Sequence, residues 1–144
     1  MAFATLVSHV AREWRRAVDR RLQPFGLTEA TWLPLLRISR SPTPMRQNEL
    51  AASLSLDGSS VVRLLDALEK AGLVERREDE TDRRAKSLAL TPAGRRTVAK
   101  VEAASEEVRR VVLGDVPDED LAATVRLLTD VREKLAKILD PVAA

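Results

Sequence analysis

The stretch Asp57-Gly58-Ser59-Ser60-Val61-Val62-Arg63-Leu64-Leu65-Asp66-Ala67-Leu68-Glu69-Lys70-Ala71-Gly72 decides the fold. Val61, Leu64, Leu65 and Leu68 recur at i, i+3, i+4 and i+7, which places them on one face of an α-helix. Asp57 stands where an N-cap acceptor belongs, and Gly72 where a left-handed C-cap belongs. Just upstream, Leu50, Ala51 and Leu54 form the apolar face of a shorter helix. Two helices separated by a turn of about three residues, the second opened by a capping aspartate, predict a helix-turn-helix.

Beyond Gly72 the period changes. Leu73–Arg77 and Lys86–Leu90 have the pattern of short strands, the second with Leu88 and Leu90 inward and Ala89 outward. Between them Glu78-Asp79-Glu80-Thr81-Asp82-Arg83-Arg84 is entirely polar, so the hairpin has a long exposed tip, a wing. Thr91-Pro92-Ala93-Gly94 supplies an N-cap and an N1 proline for a long helix with Val98, Val101, Val108 and Val112 on its stripe, closed by Gly114. A last helix opens near Pro117, with Asp118, Glu119 and Asp120 in the turn where the macrodipole favours anions. Leu121, Leu128 and Leu135 repeat along it in one row, Val131 and Ile138 in another.

Upstream, Ser41-Pro42-Thr43-Pro44 is a linker. Thr28 is placed to cap a helix carrying Trp32, Leu35, Leu36 and Ile38, within which Pro34 removes one backbone hydrogen bond. The first helix carries Val7, Val10, Trp14 and Ala17, flanked by Phe3, Leu6, Val18 and Leu22, and ends at Pro24-Phe25-Gly26. The expected fold class is mostly α with a small β-hairpin wing: a winged helix-turn-helix of about six helices, four before the hairpin and two after it. Residues 1–144 form one unit, with the winged lobe near 41–94 and a helical lobe near 1–24 and 95–144.

Composition sets the boundaries of function. The chain has 144 residues, 44% apolar and 32% charged, as a globular protein does. Cysteine is absent, which removes disulfides, thiolate metal sites and thiol redox switching. His9 is the single histidine, which argues against a multi-histidine metal site. There is no glycine-rich phosphate loop, no functional carboxylate pair and no nucleophile with a base partner. The expectation is therefore a protein that is not an enzyme and needs no cofactor. The longest uncharged stretch, Met1 to Ala11, is too short to span a membrane and lacks a basic leader, so no membrane partner and a cytoplasmic location are expected. The net charge is +2: residues 1–40 hold seven basic and three acidic groups, and the segments 41–94 and 95–144 each carry −1. Any affinity for DNA must then come from placed residues, not from bulk charge.

The motif residues Asn48-Glu49-Leu50-Ala51, Leu54, Asp57-Gly58-Ser59-Ser60-Val61, Leu65, Leu68, Gly72-Leu73-Val74, Arg76, Asp82-Arg83-Arg84-Ala85, Leu90-Thr91 and Gly94 resemble the MarR family of bacterial winged-helix regulators. The resemblance holds residue by residue over about 46–94 and extends by helix order to nearly the whole chain. It implies a homodimer on palindromic double-stranded DNA, acting as a repressor that small, often aromatic, anions release. It also implies that Arg84, two positions after Asp82, enters the minor groove.

The residues carry a physical argument beside the resemblance. Ser59, Ser60 and Arg63 project from the outward start of the second helix, where a hydroxyl or guanidinium reaches a base edge or phosphate. Arg83 and Arg84 stand on the wing tip, where an arginine is drawn into a narrow minor groove, with Asp82 expected to hold the Arg84 guanidinium in a bidentate pair. Arg46, Gln47, Arg77 and Lys86 are further phosphate partners. Arg76 serves equally as a phosphate partner or as a salt-bridge partner of Glu49 or Asp66. Against this stand capping serines, an Arg63–Asp66 pair, and a wing whose acids repel phosphate. Leu6 and Val10 on the first helix, with Leu121, Leu128, Val131, Leu135 and Ile138 on the last, need a second copy to cover them. An effector pocket would be lined by Trp14, Trp32 and His9, with Arg15 or Arg16 meeting a carboxylate; on helical stripes tryptophans also serve as core. The alternative function is a winged-helix protein-interaction module without DNA binding.

Overall fold

The computed structural model describes residues 2–140 and Val142. Its order is α1 (Phe3–Leu22), a 3-10 turn (Gln23–Phe25), α2 (Glu29–Arg40), α3 (Gln47–Ser53), α4 (Gly58–Lys70), β1 (Val74–Glu78), β2 (Lys86–Leu90), α5 (Pro92–Leu113) and α6 (Asp118–Leu139). The strands pair antiparallel with Arg76 opposite Leu88. This is a winged helix-turn-helix with six helices and a two-stranded wing among the described residues.

The caps follow the local chemistry. Asp57 Oδ1 accepts the Ser60 N–H at 2.7 Å and starts α4. Gly72 ends it at φ 75°, and the Leu73 N–H returns to the Leu68 carbonyl, the left-handed closure that glycine permits. Thr91 Oγ1 accepts the Gly94 N–H at 3.0 Å while donating to the Gly72 carbonyl, so one hydroxyl links the end of α4 to the start of α5. Thr28 differs from expectation: it occupies the N-cap of α2 but its side chain makes no capping bond, and its hydroxyl faces Thr31 Oγ1 instead. Pro34 is buried within α2, which runs unbroken to Arg40.

The chain divides into two compact units, residues 1–108 and 109–144. In the first, two apolar clusters share α2 and α5 as walls. Leu35, Ile38, Leu50, Ala51, Val61, Leu65, Leu68, Val74, Leu88 and Val98 form the core beneath the helix-turn-helix and wing. Val18, Leu22, Trp32, Leu36, Val101, Ala104 and Val108 form the other. The expected α5 stripe is buried only to Val108, where this unit ends; Val112 is exposed. On α1, Val18 and Leu22 are buried while Phe3, Leu6, Val7 and Val10 are exposed.

β2 does not alternate as expected, because its outer edge is occupied. Leu88 N–H donates to the Met45 carbonyl at 2.8 Å and Ser87 bridges Arg46, so Ser87 and Leu88 are buried together. The second unit contains α6, opened by Asp118, Glu119 and Asp120 and carrying a Lys134–Asp130 pair at 2.9 Å. None of its residues is buried. Among the described residues no helix is long and apolar enough to cross a membrane.

Gly94 sits where α5 begins against the end of α4, and a Cβ there would overlap the Leu73 carbonyl. Backbone cannot yield as a side-chain tip can, so Gly94→Ala is expected to cost about 1–3 kcal/mol. The urea midpoint followed through Trp32 fluorescence measures this; an unchanged midpoint would contradict the close approach.

Candidate nucleic-acid interface

Three buried side chains orient α4. With Val61, Leu65 and Leu68 in the core, Arg63 lies roughly 200° around the helix from Val61 and points away from it. Ser59 shares that outward side and Ser60 stands at its margin, half-buried. The Ser59 hydroxyl donates to Asp57 Oδ1 at 3.0 Å. With its proton committed, Ser59 offers lone pairs outward, which suit a base amino group better than a phosphate. The Ser60 amide and the serine hydroxyls hold the Asp57 carboxyl below the usual aspartate range. The serines therefore do assist capping.

The Arg63–Asp66 pair is not formed. Asp66 instead accepts from Arg76 Nη2, and Glu69 accepts from Arg76 through its side chain and, at 3.2 Å, its backbone N–H. Arg76 thus clamps β1 to the second half of α4, and the Arg63 guanidinium has no ion pair among the described residues. Glu49 is not an Arg76 partner, since its carboxylate takes the Arg46 backbone N–H at 3.0 Å.

At the wing, Arg83 and Arg84 are exposed and their guanidinium groups have no hydrogen-bond partner among the described residues. Asp82 acts differently from expectation: its Oδ1 accepts the Arg84 backbone N–H at 3.0 Å, shaping the turn and leaving the guanidinium outside any hydrogen bond among the described residues. Arg77 is engaged by Glu75 at 2.7 Å, and Lys86 is exposed. Gln47 opens α3, half-buried. Arg46 is turned inward to Asp79 at 2.9 Å.

Asp79 was not anticipated as a structural residue, because Glu78-Asp79-Glu80 looks like a solvated acidic run. The usable signal was Thr81-Asp82 directly after it: an aspartate accepts N–H groups two and three residues on. Here it accepts from Thr81 N–H at 3.3 Å and Asp82 N–H at 3.1 Å.

The residues expected to line an effector pocket divide. Trp32 is core, with its indole N–H on Asp19 at 2.9 Å, and Arg15 pairs with Glu29 at 3.3 Å. Trp14 and His9 remain half-buried on α1.

These surfaces define a winged helix-turn-helix whose α4 turns Ser59 and Arg63 outward and whose wing tip exposes Arg83 and Arg84. A profile described as MarR family matches residues 25–85. The transcriptional regulator PA3341 is 38% identical over 94% of this chain and 99% of its own, with a TM-score of 0.86. CouR from Rhodococcus jostii RHA1, solved bound to p-coumaroyl-CoA, is 31% identical over 95% of this chain and 91% of its own, with a TM-score of 0.71. MepR of S. aureus, solved in complex with DNA, shares the fold at 23% identity and a TM-score of 0.75, over 93% of this chain and 98% of its own. The chain belongs to the MarR family of winged-helix regulators.

The α4–β1 clamp has a pH signature. Hydrogen bonds from the Arg76 side chain and backbone hold the Glu69 carboxyl below its ordinary value of 4.5. A carboxyl lowered in the folded state contributes stability that is full above the unfolded value and is lost as pH falls through the folded one. The urea midpoint is expected to fall on acidification below 4.5, and less steeply in Glu69→Gln. An equally steep fall in that variant would unlink the clamp from acid stability.

Proposed function

We propose that the chain is a sequence-specific transcriptional repressor that binds palindromic duplex DNA as a homodimer and is released by a small ligand. The observation that carries this is the pairing pattern of the arginines. Arg63 on the outward face of α4 and Arg83 and Arg84 on the wing form no ion pair among the described residues, Arg63 only lying within electrostatic reach of Asp57, while Arg46, Arg76 and Arg77 are each held by carboxylates. Unpaired guanidinium groups on a helix start and a hairpin tip suit a major-groove edge and the flanking minor groove. The DNA-bound state of MepR and the ligand-bound state of CouR support the two halves of the proposal.

The homodimer is supported by apolar surface without cover. Phe3, Leu6 and Val10 on α1 are at least half exposed, and on α6 so are Val125, Leu127, Leu135 and Ile138, beside Leu128 at 39%. Monomeric soluble proteins rarely leave such stripes in water. Leu121 and Val131, half-buried, lie on α6 with the latter row. The effector is proposed as an aromatic carboxylate or its thioester, with Trp14 and His9 the remaining candidates to meet it. The alternative of an interaction module drew on an acidic wing, and it loses Asp79, which faces inward to Arg46.

Selection from random duplexes is expected to recover an inverted repeat with half-sites about 34–36 Å apart. Arg84→Ala should weaken the selected duplex by about tenfold with an unchanged unfolding midpoint. Equal affinity in a mobility-shift titration would remove the wing from the mechanism. Leu128→Glu should yield monomers by light scattering, since a carboxylate buried against a second copy has no partner. A dimeric mass for that variant would exclude this row from the interface.

A further inference from the structure

One side chain joins the wing to the helix-turn-helix. Asp79 Oδ2 receives four donors: Thr81 Oγ1 at 2.7 Å, Arg46 Nη2 at 2.9 Å, Asp82 N–H at 3.1 Å and Thr81 N–H at 3.3 Å. Its side chain is 12% exposed although it lies in a surface hairpin. The same Arg46 Nη2 also donates to Thr81 Oγ1 at 3.0 Å.

The backbone of Arg46 is fixed independently of its side chain. It is the N-cap residue of α3, its N–H is held by Glu49, and it is bridged to Ser87 of β2. Beyond Asp79 the turn closes on itself: Asp79 N–H donates to the Ala85 carbonyl at 3.2 Å, and Ala85 N–H to the Asp82 carbonyl at 3.1 Å. Order is therefore passed from the start of α3, through one ion pair, to the segment that carries Arg83 and Arg84.

From this geometry we infer that Arg46 and Asp79 form a latch that sets the pose of the wing arginines, so that both are positioning residues and Arg46 is not a phosphate contact. The inference deepens the DNA-binding reading and rests on it for its affinity readout. Physically, a free wing must be ordered on binding, and the latch makes that ordering part of folding instead. The Asp79 carboxyl, held below the usual aspartate range chiefly by the Thr81 hydroxyl, with Arg46 adding to it, stays ionised at neutral pH and keeps the latch closed.

The decisive test is one of sign. Asp79→Asn removes a negative charge from a surface that faces DNA. If Asp79 were only a nearby anion, that variant would bind DNA more tightly, as Glu80→Gln should, since Glu80 is exposed and has no partner among the described residues. If Asp79 is the latch, binding weakens by about tenfold, the scale set by losing charge-assisted hydrogen bonds. Arg46→Met should weaken binding equally, the double variant no further, and Arg46→Lys should retain most of the affinity.

Amide hydrogen exchange of the free protein gives a readout that needs no DNA. The Thr81 and Asp82 amides should exchange faster in Asp79→Asn and Arg46→Met, with an unchanged global unfolding midpoint. Tighter binding by Asp79→Asn, additive losses in the double variant, or unaltered exchange would each overturn the latch. If the wild type bound no duplex, faster exchange would still uphold the latch as a structural device, and only the DNA reading would fall.

Discussion

Burial of Val61, Leu65 and Leu68 fixes the rotation of α4, and the rest of the interface depends on that rotation. Each side chain contributes about 1.5–3 kcal/mol on leaving water, against at most about 1 kcal/mol for an exposed ion pair. The core therefore decides which residues face outward, and surface charges adapt to it. Asp66 lies one turn along from Val62 and pairs with Arg76 across to β1, which leaves Arg63 open. The same core residues Val74 and Leu88 seat the hairpin, so recognition helix and wing are carried on one apolar cluster.

The ion pairs explain how a segment with one excess negative charge still presents arginines that lie outside any salt bridge among the described residues. Of its acids, Asp66 and Glu69 are taken by Arg76, Glu75 by Arg77, and Asp79 by Arg46. Asp57 and Asp82 are occupied by serine groups and by the Arg84 amide. Glu49, which takes the Arg46 backbone N–H, and the exposed Glu78 and Glu80 have no ion pair among the described residues, and neither have Arg63, Lys70, Arg83, Arg84 and Lys86. Pairing geometry, not composition, sets the field that a phosphate backbone would meet.

Much of the fold was legible because it rests on local periodicity and caps. Asp57, Gly72 and Thr91 perform the roles their positions predict, and α4 follows its apolar spacing. For the candidate site, the sequence offers residue types and their place on an element. What stayed hidden was pairing between residues far apart in sequence. Arg46 meets Asp79 across 33 positions, and Met45-Arg46 lies along β2, which buries Ser87 against a simple alternation. Trp32 was split between core and pocket by sequence, and only its bond to Asp19 and its burial assign it to the core. The exposed rows on α1 and α6 remained ambiguous for another reason: their cover, if it is a second copy, lies outside a single chain.

The central claim is that arginines outside any ion pair among the described residues, at the start of α4 and on the wing, meet the phosphates and grooves of a duplex. Its most direct test is the salt dependence of affinity for a selected duplex. A log–log slope between about −5 and −9, expected for roughly 6–10 neutralised phosphates, would uphold the claim. Absence of binding at low ionic strength, or a slope near zero, would contradict it.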